Sequence, residues 1–109
     1  LLASVRAYEI ALEKDSTYAP VYFDLASSQY RLSELKLTPD FIDEVLKQST
    51  KEEQKLYTQK GVTFFKLNML EKAIANFSTF RSQTDDSKAS ALAAKISEDL
   101  SKQVAELNR

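Results

Sequence analysis

A chain of 109 residues with a net charge of −1 is about one domain's worth of polypeptide with a modest core, and it has no cationic excess with which to neutralise a nucleic-acid backbone. It contains neither cysteine nor histidine, which excludes a disulfide framework, a thiolate nucleophile, a Cys-based zinc site and the imidazole that most often serves as metal ligand or general base. No apolar run approaches the roughly 18 residues of a membrane span, and Arg6 and Glu9 in the opening LLASVRAYEIALEK exclude a signal peptide. Because it starts at Leu1 directly in helical pattern, the sequence reads as a piece of a longer protein.

Two prolines and one glycine leave long stretches free for helix, and no segment alternates at period two, so the chain is expected to be all-α with about six helices. Leu2, Val5, Tyr8, Ala11 and Leu12 form the first stripe, closed by KDST from Lys14 to Thr17. A second helix is expected to be capped by Ser16 or Thr17. Pro20 lies in its first turn, and it carries Tyr22, Leu25, Ala26, Tyr30 and Leu32 to about Leu35. Thr38-Pro39 opens a short third helix with Phe41, Ile42, Val45 and Leu46 on one face. Thr50 and Glu53 form a capping-box pattern, predicting a fourth helix from near Lys51 to Leu67, with Asn68 as the turn. Met69 or Leu70 then begins a fifth helix that buries Ala73, Ile74, Phe77 and Phe80 and ends at TDDS, Thr84 to Ser87. A sixth carries the stripe Leu92, Ile96, Leu100, Val104 and Leu107, with Lys95, Glu98, Asp99 and Lys102 on its reverse.

Similar tracts recur. Ala26 and Gly61 occupy comparable places in two helices, and Tyr57, Lys60, Gly61, Phe64, Ala73 and Phe77 follow one another at the spacing of a repeat motif. Tyr22, Leu25, Ala26 and, one place late, Tyr30 give a second partial copy, and Ser4, Tyr8 and Ala11 part of a third. The chain from Ala3 to Ser87 thereby resembles the tetratricopeptide repeat (TPR) family. It departs at Lys60 in place of a leucine, Phe80 in place of a small residue, Asp85 in place of proline, and Thr38-Pro39 where a small helix residue is expected. The resemblance implies antiparallel helix pairs stacked as a right-handed superhelix in a single domain. Residues 1–15 would be the second helix of a truncated repeat, 17–49 a degenerate repeat, 51–85 the best-matching repeat, and 87–108 a cap or the start of a next repeat. Gly61 and Ala26 would be small so that paired helices can approach closely.

The resemblance implies a protein–protein interaction module without catalytic activity, cofactor or metal, binding a peptide or helix of a partner in a concave groove. By the motif, Pro20, Phe23, Ser27, Tyr30 and Arg31 on one helix and Lys55, Thr58, Val62, Phe65 and Lys66 on another would line it. Unless Phe65 and Tyr30 pack between repeats, they are the apolar anchors, and Arg31 and Lys66 favour a segment of some acidic character. The Lys-Asn and Lys-Arg pairs that some relatives use on chaperone tails are missing, Lys55 with Gln59 being the nearest approach. An alternative is homo-oligomerisation or scaffold assembly through Leu1, Leu2 and Val5 on an uncovered opening helix. The acidic groups Asp40, Asp43 and Glu44, Glu52 and Glu53, and Asp85 and Asp86 all fall at helix starts, where the helix dipole and free N–H groups account for them without catalysis.

Overall fold

Three of the helices begin where a side chain accepts from N–H groups that the helix leaves unpaired. In the computed structural model, which describes residues 2–36 and 38–109 and only the backbone of residue 62, the elements are α1 (Leu2–Lys14), α2 (Ala19–Glu34), α3 (Pro39–Gln48), α4 (Lys51–Gln83) and α5 (Ser87–Leu107). The Thr38 hydroxyl accepts from the Phe41 N–H at 3.2 Å to start α3. Thr50 and Glu53 form the full capping box at the head of α4, with both bonds 3.2 Å long. The Asp86 carboxylate accepts from the N–H groups of Lys88 and Ala89 to start α5. Helix α2 departs from this pattern. Its N-cap is Tyr18 with no side-chain bond, and Asp15 instead folds the preceding turn by accepting from both the N–H and the hydroxyl of Thr17.

The turn expected at Asn68 lies at Gly61. Asn68 is helical, whereas Gly61 has φ 77° and ψ −159°, a region essentially closed to L side chains, and it divides α4 into an N limb (51–60) and a C limb (62–83). The break is a reversal. The Asn68 side-chain N–H donates to the Tyr57 hydroxyl at 2.9 Å although the two lie 11 residues apart, roughly 16 Å of rise on an unbroken helix. The reason expected for the glycine also changes: a methyl group built at Gly61 would have no neighbour within 4 Å among the described residues, so it is backbone conformation, not close packing, that requires a glycine there.

Close packing is supplied by alanine. Ala26 of α2, Ala73 of the C limb and Ala93 of α5 are each fully buried, in one cluster with Leu70, Phe77, Phe80 and Leu100. Small side chains at these crossings let the three helices approach closely. Phe23 closes the cluster edge-on against Phe77 and Phe80, with centroids at 5.3 and 5.1 Å. A second cluster joins Val5, Leu25, Leu32, Val45, Phe65 and Met69 from α1 to α4.

The principal packings run α1 on α2, α2 on α4 and α4 on α5. The α2–C limb pair is antiparallel: Ser16, Phe23 and Gln29 meet Gln83, Phe80 and Asn76 respectively. The result is a slab of 41 × 35 × 20 Å. Thus α2 takes the C limb as its main partner, in place of the α3 that a 17–49 repeat would give it. Helix α3 is attached lightly, through Val45, Phe41 and the Gln54 amide, which donates to the Leu46 carbonyl at 2.6 Å and to that of Ser49 at 3.3 Å. On α5 the stripe holds at Ile96, Leu100, Val104 and Leu107, but its first place belongs to Ala93, and Leu92 is 51% exposed.

Replacing Gly61 by alanine is expected to lower the stability of the folded chain by about 1–3 kcal/mol in chemical denaturation at low micromolar concentration. An unchanged midpoint would show that the positive φ is not required.

Candidate functional site

Where the N limb folds back, it leaves a cleft of about 240 Å³ walled by α1, α2, α3 and both limbs of α4. Its floor is the second apolar cluster: Val5, Leu32, Val45, Phe65 and Met69. Its rim carries charge of both signs, Arg6 and Glu9 from α1 facing Glu53 and Lys72 from the two limbs. The Lys72 ammonium lies 3.5 Å from the Glu53 carboxylate, with side chains 42% and 33% exposed, so solvent screening holds the pair to at most about 1 kcal/mol.

The fold-back and the capping box together set the local electrostatics. Partial burial, the largest single influence on Glu53, would raise its pKa. Bonds from Thr50 and the charge of Lys72 together outweigh it and leave the carboxyl below its ordinary 4.5. Burial is also the main reason that the Tyr57 phenol lies above its ordinary 10, assisted by the Glu53 carboxylate and opposed by the bond from Asn68. Tyr57 further packs against Phe65 at 5.6 Å and Phe64 at 5.7 Å, and the Lys60 ammonium lies 5.2 Å from the centre of the Phe64 ring. Among the described residues no group of three or more acidic side chains is placed to hold a metal ion.

The residues expected to form one groove are divided between two faces. Phe65 is only 4% exposed and packs against Phe41 and Tyr57, so it is core at the cleft floor and cannot serve as a free anchor. Phe23 and Tyr30 are half-buried against the alanine cluster on the other side of α2, and Ser27 is half-buried between them. Arg31, Lys55 and Thr58 are exposed, Lys66 is half-buried, and the side chain of Val62 lies outside the described residues. The error is one of helix phase: the motif treats 51–67 as one straight helix, and the break at Gly61 turns Phe65 inward relative to Lys55 and Thr58. Pro20 and Phe23 do line a shallow trough with Phe80, Ala89 and Leu92, edged by Asp24 and Asp86.

Self-association through the opening helix meets a similar correction. Val5 is buried, Leu2 and Tyr8 pack into the second cluster, and Leu1 lies outside the described residues. The open face of α1 is instead Ala3, Ala7 and Ile10.

Sequence spacing could not show the Glu53–Lys72 pair, since their meeting depends on where the chain reverses. Nor could it show the bond from the Asn76 amide to Gln29 at 2.8 Å, which joins the C limb to α2 beside the cleft and satisfies a glutamine only 3% exposed. No family model matches the chain, and no curated protein or solved structure matches it significantly. No helix described is long and apolar enough to cross a membrane.

Phe65→Ala is expected to destabilise the fold by about 3–5 kcal/mol, read as a shifted denaturation midpoint; retention of wild-type stability would return Phe65 to the surface. Because the folded pKa of Glu53 is lowered, its stabilising contribution is whole above the ordinary 4.5 and is lost as pH falls through the lower folded value. Glu53→Gln should therefore lose less stability than the native chain between neutral pH and about pH 3, and an unaltered acid limb would contradict the assignment.

Proposed function

We propose that the protein is a non-catalytic protein–protein interaction module in which a segment of a partner lies across the helical slab and seats one apolar side chain in the cleft above Phe65. The size of the cleft carries this reading. Clefts that enclose metabolites or cofactors occupy about 300–1,000 Å³, and 240 Å³ accommodates one or two side chains instead. An apolar floor inside a charged rim is the arrangement of a peptide anchor: the floor supplies affinity and the rim fixes direction. With Arg6 and Lys72 set among Glu9 and Glu53, the rim suits an apolar anchor flanked by charges of both signs, in place of the somewhat acidic segment suggested by Arg31 and Lys66.

A TPR-like superhelical arrangement is part of the proposal. It is supported by the succession α1, α2, C limb and α5, each packed on the next, and by the small residues Ala26 and Ala73 at the crossings. Helix α3 and the N limb would then be an arm inserted between the two helices of one pair, narrowing part of the exposed surface to a single cleft.

Met69 is the chain's one methionine and lies on the cleft floor, so a ¹³C-methyl label there gives a single resonance that reports on the site alone. Titration with short peptides bearing one aromatic or leucine anchor, flanked by acidic and basic residues in varied order, is expected to move this resonance saturably. Gln48→Trp at the rim should abolish the shift without loss of helicity. Failure of every peptide to move it up to about 1 mM would sink the proposal, since binding weaker than about −4 kcal/mol is too little for a specific anchor.

A further inference from the structure

Two of the contacts between the limbs of α4, the Asn68–Tyr57 bond and the Glu53–Lys72 pair, share one register. Stepping a helical turn back from Tyr57 to Glu53, and a turn forward from Asn68 to Lys72, keeps the partners opposed, and both pairs are centred between residues 62 and 63. That is the register of two antiparallel helices related by a twofold axis beside Gly61. A limb folded back on itself and a limb laid against a second copy therefore offer the same partners. We infer that the chain forms a reciprocal dimer with a second copy of itself, in which α4 straightens at Gly61 into one continuous helix of 33 residues, Lys51–Gln83, and residues 1–60 of each copy pack on residues 62–109 of the other.

Three observations carry this beyond symmetry. First, the folded-back form depends on a single residue whose φ of 77° and ψ of −159° lie outside the helical region, while the residues on both sides are already helical. Straightening therefore requires the dihedral angles of one residue to change. Second, among the described residues nothing packs within 4 Å of where a β-carbon at Gly61 would begin, so no described neighbour holds the hinge in its turn. Third, the interactions across the hinge are non-covalent and reproducible between copies: the Ala26–Ala73 packing, the Asn76–Gln29 bond, the Asn68–Tyr57 bond and the Glu53–Lys72 pair. Exchange thus conserves the buried surface. What remains to decide the balance is hinge strain against the lost entropy of association.

The partner is a second copy because only an identical chain supplies all of these groups in this register. The interface is the α2–C limb packing together with the limb-to-limb contacts, and it is separate from any peptide seated in the cleft.

The native contact can be trapped without added side chains, because Glu53 and Lys72 are close enough for zero-length carbodiimide coupling into an amide. Unlabelled and ¹⁵N-labelled chains are unfolded, mixed, refolded and coupled, and the Glu53–Lys72 peptide is read by mass spectrometry beside sedimentation of the uncoupled sample. At low micromolar concentration the native chain is expected to sediment as a monomer with links inside one chain. In Gly61→Ala, where alanine favours the straight helix, the balance should shift toward dimer by roughly tenfold or more per hinge, with mixed light–heavy links appearing. A monomeric, folded Gly61→Ala, or a dimer whose links all stay within one chain, would overturn the inference. If Gly61→Ala does not fold, refolding the native chain at about 10 µM and about 1 mM decides the matter: mixed links that rise with concentration support exchange, and their absence at the higher concentration rules it out.

Discussion

The backbone conformation of Gly61 governs how the rest of the chain is arranged. Without a residue at φ 77° and ψ −159°, the 33 residues from Lys51 to Gln83 would form one rod about 50 Å long, longer than the molecule's greatest dimension of 41 Å. The reversal brings Tyr57 to Asn68 and Glu53 to Lys72, and places the N limb where the Gln54 amide can close the end of α3. The cleft, the Lys72 charge beside Glu53 and the Asn68 bond to Tyr57 follow from that one turn. The glycine adds no packing of its own; it contributes by being able to adopt a conformation that the other residue types largely avoid.

The division between the two apolar clusters explains why the molecule is a slab with an arm. The alanine crossings at Ala26, Ala73 and Ala93 unite α2, the C limb and α5, whereas Val5, Val45, Phe65 and Met69 unite α1, α3 and the opposite flank of α4. No described buried residue belongs to both. The first cluster joins helices over several turns by close approach, and the second fills the space beneath a short helix with branched and aromatic side chains. An opening beside the second cluster is therefore physically reasonable, since its cover is a ten-residue helix with one buried side chain.

The sequence made the helices legible because their signals are local. Thr38, the Thr50–Glu53 pair and the polar TDDS segment act within three or four residues, and each marks a boundary of the structure. The faces of α2 and the C limb were equally readable, since Ala26, Ala73, Phe77 and Phe80 repeat at helical spacing and are buried. The turn within α4 falls at Gly61 and not at Asn68: asparagine and glycine both mark turns, and choosing Asn68 leaves Gly61 inside a helix, where spacing carries no signal of its positive φ. That choice determined the phase of every residue near it, so Phe65 was expected at a surface and lies in the core. Leu92 and Ala93 illustrate a different limit: both fit the stripe of α5, and the close crossing with the C limb selects the smaller one. The cleft was not legible at all, because its rim comes from Arg6, Glu53 and Lys72, which only the tertiary fold assembles.

The Gln29–Asn76 bond spans 47 residues, and the arm formed by α3 and the N limb lies inside that span. In kinetic terms the arm is the loop that must close before α2 and the C limb can meet. Closing a disordered loop of that length costs about 3 kcal/mol in chain entropy by the logarithmic length dependence alone. The Tyr57–Asn68 contact, only 11 residues apart, closes much more readily and, once made, leaves a shorter effective loop for the larger packing step. The arm therefore narrows the search for the long-range core as well as covering a cleft, and the order of assembly is built into the position of one glycine.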